Sequence, residues 1–411
     1  MDKSPEVPQD VLRRIFAILE IPDLVRAGSV CSSWRAAYTS LCSTGNCRLR
    51  QTPYLLYTSE STDAREAGLY SITEKKAYTL TLPDPPIRSR YIIGSSYGWI
   101  ITADERSELH LVNPITGEQI ALPSVTTIEQ VKPVFDDEGA VCSYEYWYYT
   151  GEDVISYTPS VRDYLFYKAF LSSDPSMGGY FVVLIHNPNS QLSFARAGDD
   201  KWTWLPPHSY YEDCLFKEGL LYASTTIGEI HTFNLGAPAV THKVFLDKID
   251  IYGERMYIVQ GSGAEMLQIW RSDAVPRGED EDETDSDVKL ELDRGKFVSN
   301  TTAITVYEVE PASKKIEKIS SLGQNVLFLG HNQSLCLHAE EYPQLKANHV
   351  YYTDDDYLYT TGFKNNRRDI GVFDLENNSS QELTTPQLWS NWPTPVWLIP
   401  NPRRMSLATH S

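Results

Sequence analysis

Between residues 7 and 40 the apolar positions recur at three- and four-residue spacings, and from about residue 53 they alternate every second residue. This change of period divides the chain into a short helical segment and a long β-rich one. In the first, Val11, Leu12, Ile15, Phe16, Ile18 and Leu19 form one broad apolar stripe. Pro8 suits a first helical position, where its missing N–H would have no helical partner anyway. Ile21-Pro22-Asp23 breaks that helix and starts another, with Asp23 placed to cap free N–H groups. Leu24, Ala27 and Val30 share a face of this second helix, and Ser32 or Ser33 caps a third that carries Trp34 and Tyr38. Three short helices bury too little apolar surface to stand alone. They need either the flank of the large domain or a groove on another protein.

The β-rich part repeats a unit made of an apolar strand, a turn of Asn, Pro, Gly or Glu, and a second strand that often ends in Leu-Pro. Instances span residues 69–83, 110–123, 184–206, 229–246, 303–322 and 369–386. Four-strand units at a spacing of about 40–50 residues are the mark of propeller blades. The length predicts a six- or seven-bladed all-β propeller after a small all-α unit; a pair of β-sandwiches is the competing architecture. Residues 395–398, which include Trp397, are expected to lie beside residues 54–57 and close the ring. The domain limits that follow are 1–45 for the helical unit, 46–400 for the propeller and 401–411 for a disordered tail.

Composition adds charge to this picture. The chain has 411 residues and a net charge of −19. Residues 1–50 carry seven Lys/Arg against five Asp/Glu, and the remainder 29 against 50. An acidic large domain argues against nucleic acid and anionic membrane as partners, since phosphate contacts need a basic face. Residues 278–287 hold seven acidic side chains in ten positions. Like charges at that density stay solvated, so a flexible acidic loop is expected over about 276–296. The longest apolar runs are strand-sized, and no signal peptide is recognisable. Six cysteines without a CxxC pair read as free thiols of the cytoplasm or nucleus.

The order of residues in the helical segment is specific. Val7-Pro8-Gln9-Asp10-Val11-Leu12, Ile15, Leu19, Asp23-Leu24, Arg26, Val30-Cys31 and Trp34-Arg35 resemble the F-box pattern of Leu-Pro, Glu-Leu-Leu, Ile, Leu, Asp-Leu, Arg, Val-Cys and Trp-Arg. Val7, Asp10 and Val11 depart from it conservatively. The resemblance implies a segment that binds the Skp-type adaptor of an SCF (adaptor–cullin–F-box) ubiquitin ligase. Carried over by position, Pro8, Leu12, Ile15, Leu19 and Leu24 would contact the adaptor. Val11, Phe16, Val30, Cys31 and Trp34 would hold the small domain together.

Further stretches, among them Gly94-Ser-Ser-Tyr-Gly-Trp99, Leu111-Val-Asn-Pro-Ile-Thr-Gly117, Trp202-Thr-Trp-Leu-Pro206 and Trp392-Pro-Thr-Pro-Val-Trp397, resemble the domain that follows the F-box in a large plant family. That resemblance implies a kelch-like propeller without naming its target.

Catalytic and metal patterns fail on context. Gly94-Ser95-Ser96-Tyr97-Gly98 fits G-x-S-x-G, yet a strand follows it where a nucleophile elbow needs a helix. Gly261-Ser-Gly263 reads as a hairpin turn. Asp354-Asp355-Asp356 reads as a turn, since it lacks the ligand spacing of a calcium loop, and His331 and His338 lack zinc spacing. The expected protein is a non-catalytic substrate receptor without cofactor or metal. It would link an unknown target to the adaptor and the cullin scaffold. The alternatives are a module that sequesters a partner without ubiquitin transfer, and an enzyme using the propeller's centre. Residues 144–149, rich in Tyr and including Trp147, are a candidate target surface or strands packed between blades.

Overall fold

The computed structural model describes residues 7–43, 51–147, 154–157, 161–249, 254–274, 299–383 and 388–403. Three helices open the chain: α1 (Gln9–Phe16), α2 (Ile21–Gly28) and α3 (Ser32–Ser43). Pro8 stands immediately before α1, and its carbonyl accepts from the N–H groups of Val11 and Leu12. Gln9 ties α1 to α3 by donating to the Ser33 hydroxyl and carbonyl. Phe16 meets Trp34 edge to face at 5.4 Å. Gly28 lets α2 close on α3, since a Cβ there would stand 2.6 Å from the Tyr38 ring.

Strands follow from residue 54. The first blade holds β1 (Tyr54–Tyr57), β2 (Glu66–Ser71) and β3 (Lys76–Thr81), and the second β4 (Tyr91–Ser96), β5 (Trp99–Ala103), β6 (Leu109–Val112) and β7 (Gln119–Ala121). A separate three-stranded sheet comes next: β8 (Val131–Phe135), β9 (Val141–Trp147) and β10 (Val154–Tyr157). The third blade runs through β11 (Phe166–Leu171), β12 (Phe181–His186), β13 (Gln191–Arg196) and β14 (Thr203–Leu205). The fourth is β15 (Tyr211–Lys217), β16 (Leu220–Thr225), β17 (Ile230–Asn234) and β18 (Thr241–Leu246). The fifth is β19 (Arg255–Gln260), β20 (Met266–Ala274), β21 (Asn300–Glu310) and β22 (Lys315–Ile319).

The sixth blade departs from the four-strand pattern. It contains β23 (Asn325–Leu329), β24 (Leu335–His338), β25 (His349–Tyr352), β26 (Gly371–Asp374) and β27 (Ser379–Glu382), in the order β24-β23-β25-β26-β27. β24 lies on the inner edge, against β19, and β23 runs parallel to β25. The final strand, β28 (Val396–Leu398), pairs antiparallel with β1 in the register Tyr54↔Leu398, Leu55↔Trp397 and Leu56↔Val396. The expected closure by residues 395–398 is therefore present, and six blades form the ring among the described residues.

Burial follows position in the blade. β4 and β5 are buried at every residue because neighbouring blades cover both faces. The outermost β27 is exposed along its length. Two-residue turns join several hairpins with both central residues at positive φ, as at Tyr97-Gly98 (51° and 81°) and Glu218-Gly219 (52° and 78°). The first of these confirms that the G-x-S-x-G stretch is strand, turn and strand.

Two expectations need correction. Residues 401–403 are fastened to the propeller and are not part of a free tail: Asn401 donates to the Tyr97 carbonyl and to Asp174, and its own carbonyl accepts from Asn113. Asp354-Asp355-Asp356 is not a turn: it leads from β25 into a short helix at Tyr357–Gly362, with Asp354 and Asp355 buried. The acidic loop over 276–296 and residues 404–411 lie outside the described residues.

Candidate docking face and axial cavity

Two apolar lines run along α1 and its two ends. Leu12 and Phe16, four residues apart, point into the chain's own core. Val7, Val11, Ile15 and Ile18 follow a second line about one residue away and stay in solvent, Ile15 46% and Ile18 72% exposed. Such a line of exposed large apolar side chains along α1 and its ends is a candidate docking face.

The carried-over residues divide differently from expectation. Pro8 and Ile15 are exposed and Leu19 is half-buried, whereas Leu12 and Leu24 are enclosed in the chain's own core. Leu12 and Leu24 therefore shape the docking face from beneath. Phe16 of α1 and Trp34 of α3 meet edge to face. Val11, Val30 and Cys31 lie elsewhere: Val11 belongs to the exposed line, and Val30 and Cys31 sit in the connection between α2 and α3, with Val30 64% exposed. Helical spacing assigned Val30 to a face, but α2 ends at Gly28. Val7 and Ile18 were the residues missed. Continuing the line of Val11 and Ile15 four residues back and three residues on finds them.

The helices rest on the first blade. Leu12, Phe16, Ile21, Leu24, Ala37 and Leu41 share one core with Tyr54, Leu56, Leu69, Tyr78 and Val396. The Tyr54 hydroxyl donates to Glu20 at 3.1 Å. The Arg26 guanidinium lies over the Tyr78 ring at 4.9 Å and the Lys76 ammonium at 4.5 Å, with Lys76 also 3.7 Å from Asp23. Of the two fates open to the helical unit, the structure shows docking on the large domain, and a free apolar face is left over.

At the ring's centre, charge is spent on joining blades. The Lys168 ammonium on β11 meets Asp213 on β15 at 2.8 Å. The other Asp213 oxygen accepts from the Ser334 hydroxyl at 2.7 Å and the Ile258 amide at 3.0 Å. Further out, Arg255 and Tyr257 both donate to Asp355, at 2.7 and 2.9 Å. Arg271 donates to the Thr353 carbonyl and to Asp369. Asp354 is fully buried, 3.8 Å from Arg255 and 3.9 Å from Arg368. Burial pushes its carboxyl up to about 7 against the pull of those arginines. Glu212, which accepts from the Met256 amide, is likewise pushed up by burial to about 7. His331 is buried and pushed down by burial to about 4. Among the described residues no group of three His, Cys, Asp or Glu side chains is placed to hold a metal ion.

The Tyr-rich stretch is packed where it is described. Tyr144 and Tyr146 are buried, and Tyr146 stacks on Tyr164 at 5.5 Å. Tyr148, Tyr149 and the Trp147 side chain lie outside the described residues.

A cavity of about 610 Å³ opens where the helical unit meets the ring. Its walls come from Ile21 of α2, Cys42 of α3, the β4–β5 turn, residues 332–335 and residues 397–403. Asp174 at its rim accepts from Trp99, Ser176 and Asn401 and lies 3.8 Å from Arg403.

Residues 69–374 match the KIB1-4 beta-propeller family, and residues 5–41 match the F-box-like family. The chain belongs to the KIB1-4 beta-propeller family. F-box protein KIB4 of Arabidopsis thaliana is 30% identical over 241 residues, covering 56% of this chain and 59% of KIB4, so that match spans less than two thirds of the relative. The F-box/kelch-repeat protein KIB1 of the same plant is 22% identical over 356 residues, 85% of this chain and 76% of KIB1. A further Arabidopsis F-box protein aligns over 399 residues at 22% identity, 94% of this chain and 95% of the relative. An F-box in general is a non-catalytic, adaptor-binding segment. In this KIB1-4 propeller it is α1 to α3, seated on the first blade.

Proposed function

We propose that this KIB1-4 propeller is the substrate-recognition subunit of an SCF-type ubiquitin ligase. The observation that carries the reading is the exposed line Val7, Val11, Ile15 and Ile18 along α1 and its two ends, beside a face that is already buried. In this reading the Skp-type adaptor covers that line together with Pro8 and the exposed Val30, and brings the cullin scaffold with it. The propeller holds a target protein. Nothing covalent is asked of the chain: it contributes proximity and orientation, and the conjugating partner supplies the chemistry. The shared core of helices and first blade supports this role, since a fixed angle between adaptor and target turns binding into positioning. The reading places the chain in the cytoplasm, the nucleus or both.

Co-purification of the full chain with adaptor and cullin tests the proposal. Val11→Asp with Ile15→Asp is expected to abolish it, and unchanged co-purification by that folded variant would sink the reading. If the double variant still blocks its target as well as the native chain does, sequestration is the function instead. Deleting the helices is a poorer test, because it strips Tyr54, Tyr78 and Leu69 of their cover.

A further inference from the structure

We propose that the cavity between the F-box helices and the ring binds a neutral, largely apolar small molecule. Its volume of about 610 Å³ lies within the range of pockets that enclose drug-sized ligands. Ile21, Pro53, Leu335, Leu398 and Ile399 give it apolar walls from the helical unit, the first blade and the sixth.

Charge excludes an ionic ligand. Among the described residues the charged side chains of the wall are Asp174 and Arg403, 3.8 Å apart, and Asp174 is further occupied by the Trp99 indole, Ser176 and the Asn401 amide. An anion would face that carboxylate, and a cation would compete with Arg403 and three other donors.

The cavity is assembled by parts distant in sequence. The β4–β5 turn closes on residue 401, where a Cβ on Gly98 would stand 2.3 Å from that of Asn401. α2 and α3 form the facing wall. A bound molecule therefore touches the F-box and the ring at once and stiffens the joint between them.

The test uses Nile red, a neutral apolar dye of suitable size, with the full chain. We expect saturable one-to-one fluorescence enhancement, weakened at least tenfold by Leu335→Trp and by Ile399→Trp, both of which fill the cavity. Ile15→Asp, which spoils the exposed α1 line, should leave dye binding unchanged. Saturating dye should slow amide exchange in residues 95–98 and 397–403, a readout that needs no variant. Absence of saturable binding, binding retained in both filled variants, loss in Ile15→Asp, or exchange protection elsewhere would each overturn the proposal. The F-box reading is measured separately by adaptor co-purification and does not depend on the outcome.

Discussion

Tyr54 opens the first propeller strand, and its hydroxyl donates to the carboxylate of Glu20 at the entry of α2, 3.1 Å away. Burial and the neighbouring carboxylate hold that hydroxyl protonated far above the usual phenol range. Tyr54→Phe removes the donor and keeps the ring packed. It should lower stability by about 1 kcal/mol, the usual net worth of such a bond, in urea unfolding. Adaptor binding should not change, since the exposed line on α1 is untouched; a large loss of binding would mean that this bond, and not the apolar core, sets the F-box angle.

The two lines on α1 predict opposite phenotypes one turn apart. Leu12→Ala leaves a hole in the shared core and should cost about 2–5 kcal/mol. Ile15→Asp changes a solvent-facing side chain and should shift stability by no more than about 0.5 kcal/mol. It should nonetheless weaken the adaptor complex by about 30-fold or more, as an interface anchor does. Thermal melts and adaptor titrations on the same two variants separate the effects. Equal behaviour of the two would refute the assignment of faces.

The Lys168–Asp213 pair at the axis joins blades three and four and, through Ser334 and Ile258, reaches five and six. Lys168→Met strands a buried carboxylate and should destabilise the ring by about 3–5 kcal/mol. Adding Asp213→Asn should restore part of that loss, because the uncompensated charge disappears. A double variant no better than the single one would show that packing of the lysine stem, not charge, dominates.

Asp354 and Glu212 keep their protons up to about pH 7 in the folded chain, so folding binds protons that the unfolded chain has already released. Their contribution to stability falls as pH rises from the ordinary carboxylate range to about 7. His186 and His331, both pushed down to about 4, act with the opposite sign: what they contribute is present above 6.5 and lost as pH falls toward 4. Across the interval where both sets titrate, the slopes oppose one another. Asp354→Asn removes one carboxylate, so its stability relative to the native chain should rise between pH 4 and 7. A difference that stays flat across that interval would contradict the buried, proton-bearing state of Asp354.

The helical unit, the strand pairing and the closing strand were legible because each is written in local periodicity or in a specific residue order. Val11 and Val30 were misassigned for a different reason. Whether an apolar side chain faces in or out depends on where its helix ends and what packs opposite, and Val30 falls just past the end of α2. Asp354 and Asp355 show the same limit more sharply. Three consecutive aspartates read as a turn, but Arg255, Arg271 and Arg368, 14 to about 100 positions away, enclose Asp354 and Asp355. The cavity was beyond any local reading, because its walls come from opposite ends of the chain.

Pairing of Leu55 with Trp397 also sets an order of events during synthesis. The F-box leaves the ribosome first, yet the blade beneath it lacks its innermost strand until residue 398 has been made. Until then the F-box helices have an unfinished seat. A chain that stopped before residue 396 would lose that seat although every F-box residue is present, and its failure would be one of attachment.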